Sequence, residues 1–292
     1  MNDFTIRDLE NLSGIRAHTI RVWEQRYNFL KPRRTQTNIR YYCNDELKTV
    51  LNIALLNKCG FKISHIDRMG SEEIGEKIDS LKDANAIQER MVNKLLLAMA
   101  ELNMESFEKL IDEHINERGI EYTVIHVLLP FLEKTGILWQ TGQINPAQEH
   151  LVSGIIRQKL IVAIEVTASQ IQLNKTVLLF LPEGEHHELG LLFMYYLLKC
   201  RGARTIYLGA NVPLRDVEHV IDLKKPDFAF IHLTATATNF NFEKFLSQLH
   251  KQLPATPVVI SGQLTQHYSK KTPPNVHFKR SLFEVTGYLS AL

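Results

Sequence analysis

Cysteine is scarce in this chain of 292 residues: Cys43, Cys59 and Cys200 are odd in number, far apart and without metal-site spacing. A disulfide framework and a thiolate metal centre are thereby excluded as organising features, and buried thiols in a reducing compartment are expected. Long apolar runs are also missing. No segment approaches the roughly 20 residues that a membrane helix needs, and no secretory leader precedes Thr5, so a cytoplasmic protein with no membrane partner is expected. Charge is not lopsided either. The 34 Lys and Arg against 32 Asp and Glu give a net charge of +2, uninformative as a whole. What is there, 45% hydrophobic and 23% charged residues, is the composition of an ordinary globular protein with enough apolar material for a real core.

The distribution of charge says more than its sum. From Gly14 to Tyr42, seven basic side chains (Arg16, Arg21, Arg26, Lys31, Arg33, Arg34, Arg40) face a single acid, Glu24, for a local charge of +6. That is a phosphate-seeking surface. Thr5 is positioned to cap a short helix through Leu12, Ser13-Gly14 makes a turn, and a second helix is expected from about Ala17 to Tyr27. Ile20, Trp23 and Tyr27 share one helical face. His18, Arg21, Val22 and Gln25 lie on the other, free to enter a major groove. Lys31 to Tyr42 reads as a wing whose cations grip the DNA backbone. The plainer alternative is a solvated basic face with no nucleic-acid role.

Helices continue over Asp45 to Asn57 and Ser64 to Met69, and the polar, acidic stretch from Gly70 to Asn85 is suited to a hinge around a short helix. Four longer helices are then expected near 86–101, 104–117, 121–139 and 146–168. From Lys175 the pattern becomes strands alternating with helices. Val177 to Leu181, Thr205 to Leu208, Phe228 to Leu233, Val258 to Ser261 and Val276 to Phe278 are the five strands. Short apolar strands with helical crossovers imply a parallel, doubly wound sheet, Rossmann-like or flavodoxin-like, whose ligands bind beyond the strand C-termini.

Two constellations carry chemistry. Directly after the run Thr176 to Pro182 stand Glu185, His187 and Gly190, in the order E-x-H-x-x-G. A neutral imidazole can give one ring nitrogen to a metal when an acceptor holds the other, and Glu185 is placed to be that acceptor. Gly190 lacks a Cβ and lets a ligand approach the start of the next helix. The bland alternative is a strand-to-helix loop with ordinary polar residues, and His186 or Glu188 could equally be the working residue. The second constellation begins at Trp139, followed ten and eleven residues later by Glu149 and His150. Between them Asn145 is suited to an N-cap, Pro146 to the first helical position and Gln148 to a capping box. A helical hairpin would bring indole, carboxylate and imidazole to one end of a bundle, able to cover a flat ligand. A core tryptophan beside a solvated Glu-His pair is the other reading.

The W-x9-E-H pattern of Trp139, Glu149 and His150, preceded by Pro130 and Gly136 and followed by a histidine-bearing α/β segment, resembles the helical cap and cobalamin-binding domain of CarH/LitR-type regulators. In that family a MerR-type DNA-binding domain comes first, and Thr5-Ile-Arg-Asp-Leu-Glu-Asn-Leu-Ser-Gly-Ile-Arg-Ala-His-Thr-Ile-Arg-Val-Trp-Glu-Gln-Arg-Tyr27 is close to the MerR pattern. The resemblance covers nearly the whole chain. It implies a multidomain α plus α/β protein: a winged helix-turn-helix over 1–75, a four-helix bundle cap over 76–173 and an α/β cobalamin-binding domain over 174–292. It also implies a role for each candidate residue. His187 would be the lower cobalt ligand, Glu185 its orienting partner and Gly190 the close-approach position. Thr234 or Thr236 would match the hydroxyl residue of the slot that takes the cobalamin's nucleotide tail, and Gly262 the first of a glycine pair. Trp139, Glu149 and His150 would form the upper pocket, and Arg16, His18, Thr19, Arg21, Gln25, Arg33, Arg34, Arg40 and Tyr41 would meet DNA.

Three positions depart from the family pattern: Glu185 replaces an Asp, which would lengthen the orienting hydrogen bond, Gln263 replaces the second glycine, and Gln140 stands where light-sensing members carry a second histidine. Where dimeric MerR relatives have a long coiled-coil helix, this chain has a bundle, so their dimer contact does not carry over. The resemblance implies a non-enzymatic transcription regulator that binds double-stranded DNA and a cobalamin, adenosylcobalamin or methylcobalamin. It would couple ligand state to homo-oligomerisation, as dimer or tetramer, with light as a further input. The alternatives are a MerR-type regulator whose α/β domain has turned to a protein or another small ligand, and a corrinoid methyl carrier.

Overall fold

The computed structural model describes residues 4–140, 142, 144–169, 173–234 and 240–292, with Gln140 described by its backbone alone. The chain divides into two compact units, Met1–Ile155 and Ile156–Leu292.

The first unit is helical apart from a two-stranded ribbon. Helix α1 (Ile6–Ser13) starts at a complete capping box: Thr5 Oγ1 accepts from the Asp8 amide while the Asp8 carboxylate takes the Thr5 amide at 2.6 Å. Helix α2 (Ala17–Arg26) buries Ile20 and Trp23 and leaves Arg21 and Gln25 exposed. Strands β1 (Arg33–Arg34) and β2 (Arg40–Tyr41) pair antiparallel. The chain start is tied to the wing by reciprocal bonds between Phe4 and Tyr42, of 2.8 and 2.9 Å. Helices α3 (Asn44–Lys58), α4 (Ile63–Ile66) and α5 (Ser71–Asp79) follow.

Next come α6 (Ala84–Ala100), α7 (Met104–Arg118), α8 (Ile120–Thr123), a π-helical turn over Val124–Leu128, α9 (Leu129–Gln140) and α10 (Pro146–Val166). The expected helix near 121–139 is therefore three consecutive pieces, its i→i+5 turn sitting where Val124, Val127 and Leu128 are buried. The bundle is locked to α1 within this unit by Lys134, whose Nζ donates to the Leu12 carbonyl at 2.9 Å. Burial holds the Lys134 pKa below its usual value.

The second unit contains β3 (Thr176–Pro182), α11 (Leu189–Cys200), β4 (Arg204–Val212), α12 (Leu214–Lys224), β5 (Phe228–His232), α13 (Phe242–Gln252), β6 (Val258–Ser261), α14 (Gln263–Gln266), β7 (Val276–Lys279) and α15 (Leu282–Ser290). All pairings are parallel and the strand order is β4-β3-β5-β6-β7. Val177 to Leu181, Ala229 to Ile231 and Val258 to Ile260 are fully buried, as strands covered on both faces require. The chain moves outward from β3 to β4, then returns past β3 to β5. The switch point of the sheet thus lies beyond the C-terminal ends of β3 and β5, the crevice where such folds bind ligands. No helix among the described residues is long and apolar enough to cross a membrane.

Candidate functional site

The loop after β3 turns Glu185 inward and His187 outward. Glu185 is 1% exposed, and its Oε1 accepts from the His187 amide at 2.8 Å and lies 2.7 Å from His187 Nδ1. Burial pushes the Glu185 pKa up, but the hydrogen bonds from the His187 side chain and backbone outweigh it, so the carboxyl stays below its ordinary range. An ionised carboxylate on Nδ1 fixes the tautomer and the orientation of the imidazole. The orienting hydrogen bond is not lengthened, and one Glu185 oxygen serves both His187 groups. The other oxygen, Oε2, is buried without a hydrogen-bond partner. Asn211 supports the loop: its amide donates to the Glu185 carbonyl at 3.0 Å, and its Oδ1 accepts from the Gly184 amide at 2.9 Å.

The neighbouring candidates separate cleanly. His186 is exposed. Glu188 is held by Tyr207 and Arg157, each at 3.0 Å, a structural tie across the loop. Thr234 is exposed just past β5, whereas Thr236 lies outside the described residues. Gly190 and Gly262 are required by the protein's own packing. A Cβ on Gly190 would meet His232 at 2.1 Å, and one on Gly262 would meet the Leu233 carbonyl at 2.2 Å, at a φ of +100° that favours glycine. His232, which ends β5 with Nδ1 2.8 Å from Ser261 Oγ, is a residue the motifs missed. Burial lowers its pKa to about 4, the nearby Glu185 charge opposing. The available signal was an imidazole ending an apolar strand next to the switch point.

In the helical unit, α10 opens as its sequence requires. Asn145 Oδ1 accepts from the Ala147 amide and Gln148 Oε1 from the Asn145 amide, both at 2.9 Å, while buried Gln148 reaches the Met99 carbonyl at 3.1 Å. The α9–α10 connection leaves Trp139 48% exposed at the end of α9, with Glu149 half-buried and His150 exposed on the first turns of α10. His150 Nδ1 is 3.6 Å from Glu149 Oε2. An indole so exposed is not the core tryptophan of the plainer reading.

On the basic face, Arg16, His18, Arg21 and Gln25 are exposed on and just before α2, and Thr19 is half-buried. Arg33 and Arg34 project from β1 into solvent. Arg40 is committed to the protein itself: its Nε donates to Glu24 Oε2 at 2.9 Å, and Tyr42 OH donates to the other oxygen. This pair ties wing to helix. Tyr41 beside it is half-buried.

The MerR HTH family regulatory protein model matches residues 4–73, and the B12 binding domain model matches residues 91–163. The chain thus carries a MerR HTH domain and a B12 binding domain. Two Myxococcus xanthus proteins are similar to this chain over most of its length. HTH-type transcriptional repressor CarH is 29% identical over 266 residues, covering 89% of this chain and 88% of that protein. HTH-type transcriptional repressor CarA is 28% identical over 260 residues, covering 88% and 85%. Among solved structures, the Methanosarcina barkeri monomethylamine corrinoid protein superposes with a TM-score of 0.51 at 15% identity, covering 70% of this chain and 100% of that one, a likeness of fold.

Proposed function

We propose that this chain senses a cobalamin and converts ligand state into DNA affinity, as a repressor-type protein acting in the cytoplasm rather than as an enzyme. The observation that carries the reading is the Glu185–His187 pair at the sheet's switch point, in a chain whose first part is a MerR domain. Residues 1–75 bind DNA, 76–173 serve as the helical cap and 174–292 hold the lower side of the ligand. When bound, cobalamin would supply a cobalt centre able to accept an imidazole donor, which His187 would provide. The donor chemistry fits it. No group of three or more His, Cys, Asp or Glu side chains able to hold a bare metal ion occurs among the described residues, and a single oriented imidazole suits a metal that brings its other ligands with it.

His187 is the cobalt ligand, Glu185 holds its tautomer, and Thr234, Thr236, Gly190 and Gly262 belong to the surrounding wall. In the cap, Trp139, Glu149 and His150 are the residues that meet cobalamin, the indole supplying a flat apolar surface. The cofactor is adenosylcobalamin or methylcobalamin, and its binding alters homo-oligomerisation, dimer or tetramer, through which multivalent DNA contacts gain affinity. A light response falls on His150, because Gln140 is a poor metal donor; it is read by comparing illuminated wild type with H150A in absorption and size-exclusion profiles.

The test is retention of a randomised DNA pool by the full chain with and without adenosylcobalamin. Enrichment of a defined sequence, with retention that changes on adding cofactor, is expected. Sequence-specific retention indifferent to every cobalamin would favour a different ligand, and absence of DNA binding would favour a corrinoid carrier.

A further inference from the structure

Strand β7 ends the sheet on the side away from β4, and among the described residues no strand lies beyond it. Its inner side is fixed by β6: the Val258 amide donates to the Asn275 carbonyl at 2.7 Å, and Val258 to Ser261 stand opposite Val276 to Lys279. Main-chain groups of successive residues in a strand point to opposite edges, so the Val276 carbonyl and both the amide and the carbonyl of Phe278 face outward. Each end of this opening is stopped by the chain itself. The Val276 amide donates to the Pro273 carbonyl and the Arg280 amide to Glu284 Oε2, both at 3.0 Å. Along the opening runs a concavity of about 440 Å³ lined by Val276 to Arg280. Consecutive side chains alternate between the faces of a sheet, so this hollow follows the strand edge rather than either face. Its border is basic. From Ser269 to Arg280 the chain carries Lys270, Lys271, Lys279 and Arg280 and no acid. Lys270 is paired with Glu243, and Lys279 Nζ is held 4.6 Å from the centre of the Tyr288 ring, which keeps its charge beside the edge. At the start of α15, Phe283 is 85% exposed, the highest value among the exposed large hydrophobic side chains described.

We propose that the β7 edge docks an extended acidic segment of a partner protein, which adds a short strand there. Its backbone bonds the outward groups of Val276 and Phe278, its carboxylates meet Lys279 and Arg280, and an apolar side chain covers Phe283. Open edges are normally blunted, and this one is blunted at both ends of a short window and left open within it. The two stops set the register of an incoming strand. A nucleic acid would satisfy the cations but leave the main-chain groups of the edge unpaired. A second copy of this chain, pairing symmetrically through the same edge, would set like charge against like. Docking here is independent of cobalamin.

Full-length wild type, K279E and F283S are titrated by fluorescence polarisation with a labelled peptide of alternating Glu and Val, about nine residues long. The controls are its Lys-and-Val counterpart and the acidic peptide with its central amides N-methylated, and each protein is also melted and sedimented. Wild type is expected to bind the acidic peptide at least about tenfold more tightly than either control, and K279E and F283S each to lose at least about fivefold while melting as wild type does. K279Q replaces K279E should that variant unfold, with a loss of at least about threefold expected. Equal affinity for the N-methylated peptide overturns the proposal, because charge alone would then hold the ligand, and so does equal affinity for the basic peptide or absence of binding. Binding indifferent to both substitutions places the peptide elsewhere, as on the basic helix-turn-helix, and overturns it too. Loss of self-association in K279E would assign the edge to a second copy, and loss of duplex-DNA retention in K279E and F283S would assign it to nucleic acid; either result contradicts docking of a partner's acidic strand.

Discussion

One oxygen of Glu185 accepts from both the backbone and the ring of His187, and these two hydrogen bonds explain why a buried carboxyl keeps a lowered pKa. His232 has the opposite sensitivity. Its folded pKa is about 4 against an ordinary 6.5, so above pH 6.5 the ring is neutral in folded and unfolded chain and nothing is lost. As pH falls from 6.5 towards 4 the unfolded chain gains a proton the folded one refuses, and stability declines by up to about 3 kcal/mol. Denaturant midpoints between pH 7 and pH 4.5 should therefore fall more steeply for wild type than for H232A; parallel curves would contradict this. At the DNA face, Arg21 is exposed on α2 while Arg33 and Arg34 stand on the wing. Arg21→Ala should relax specificity at one base position by about 1–3 kcal/mol. Arg33→Ala with Arg34→Ala should weaken all sequences alike and lower the salt slope by about two. Binding titrations against single-base operator variants at several salt concentrations distinguish them, and uniform weakening by Arg21→Ala would reverse the assignment.

The elements were largely legible before their coordinates, for a physical reason: each announces itself locally. Thr5 with Asp8 forms a capping box, and Asn145 caps α10 through the Ala147 amide while Gln148 takes the Asn145 amide, because short polar side chains satisfy unpaired helix amides wherever they precede an apolar stripe. The five strands were visible as apolar runs because parallel strands are buried on both faces. The break of the 121–139 helix was not visible, since an inserted π-turn leaves no compositional mark, and neither was the tie of Arg40 to Glu24, a pairing of residues 16 apart. His232 escaped for the same reason: its contacts with Gly190 and Ser261 come from strand register and helix placement, which no local pattern records. The α9–α10 connection makes a prediction at this scale. Asn145→Ala removes one cap and should cost about 1 kcal/mol. Gln148→Ala removes bonds at both ends of a buried amide and should cost about 1–3 kcal/mol. Thermal melting should show the second change as the larger, and equal shifts would mean that the Met99 carbonyl finds another donor.

At the scale of the whole molecule, a basic helix-turn-helix and a B12-binding domain share one chain, and the two M. xanthus repressors align along nearly all of it. The helix-turn-helix accounts for an otherwise unexplained local charge of +6 in a chain of net +2, and a corrinoid carrier would have no use for it. On the proposed reading, one imidazole held by one carboxylate distinguishes the loaded from the empty state. The most direct measurement is the absorption change on adding hydroxocobalamin and diaquacobinamide separately to purified wild type, H187A and H186A. Wild type and H186A are predicted to give the same imidazole-dependent shift with at least one of the two corrinoids, and H187A to lose it. The same spectrum from H187A as from H186A would contradict the account.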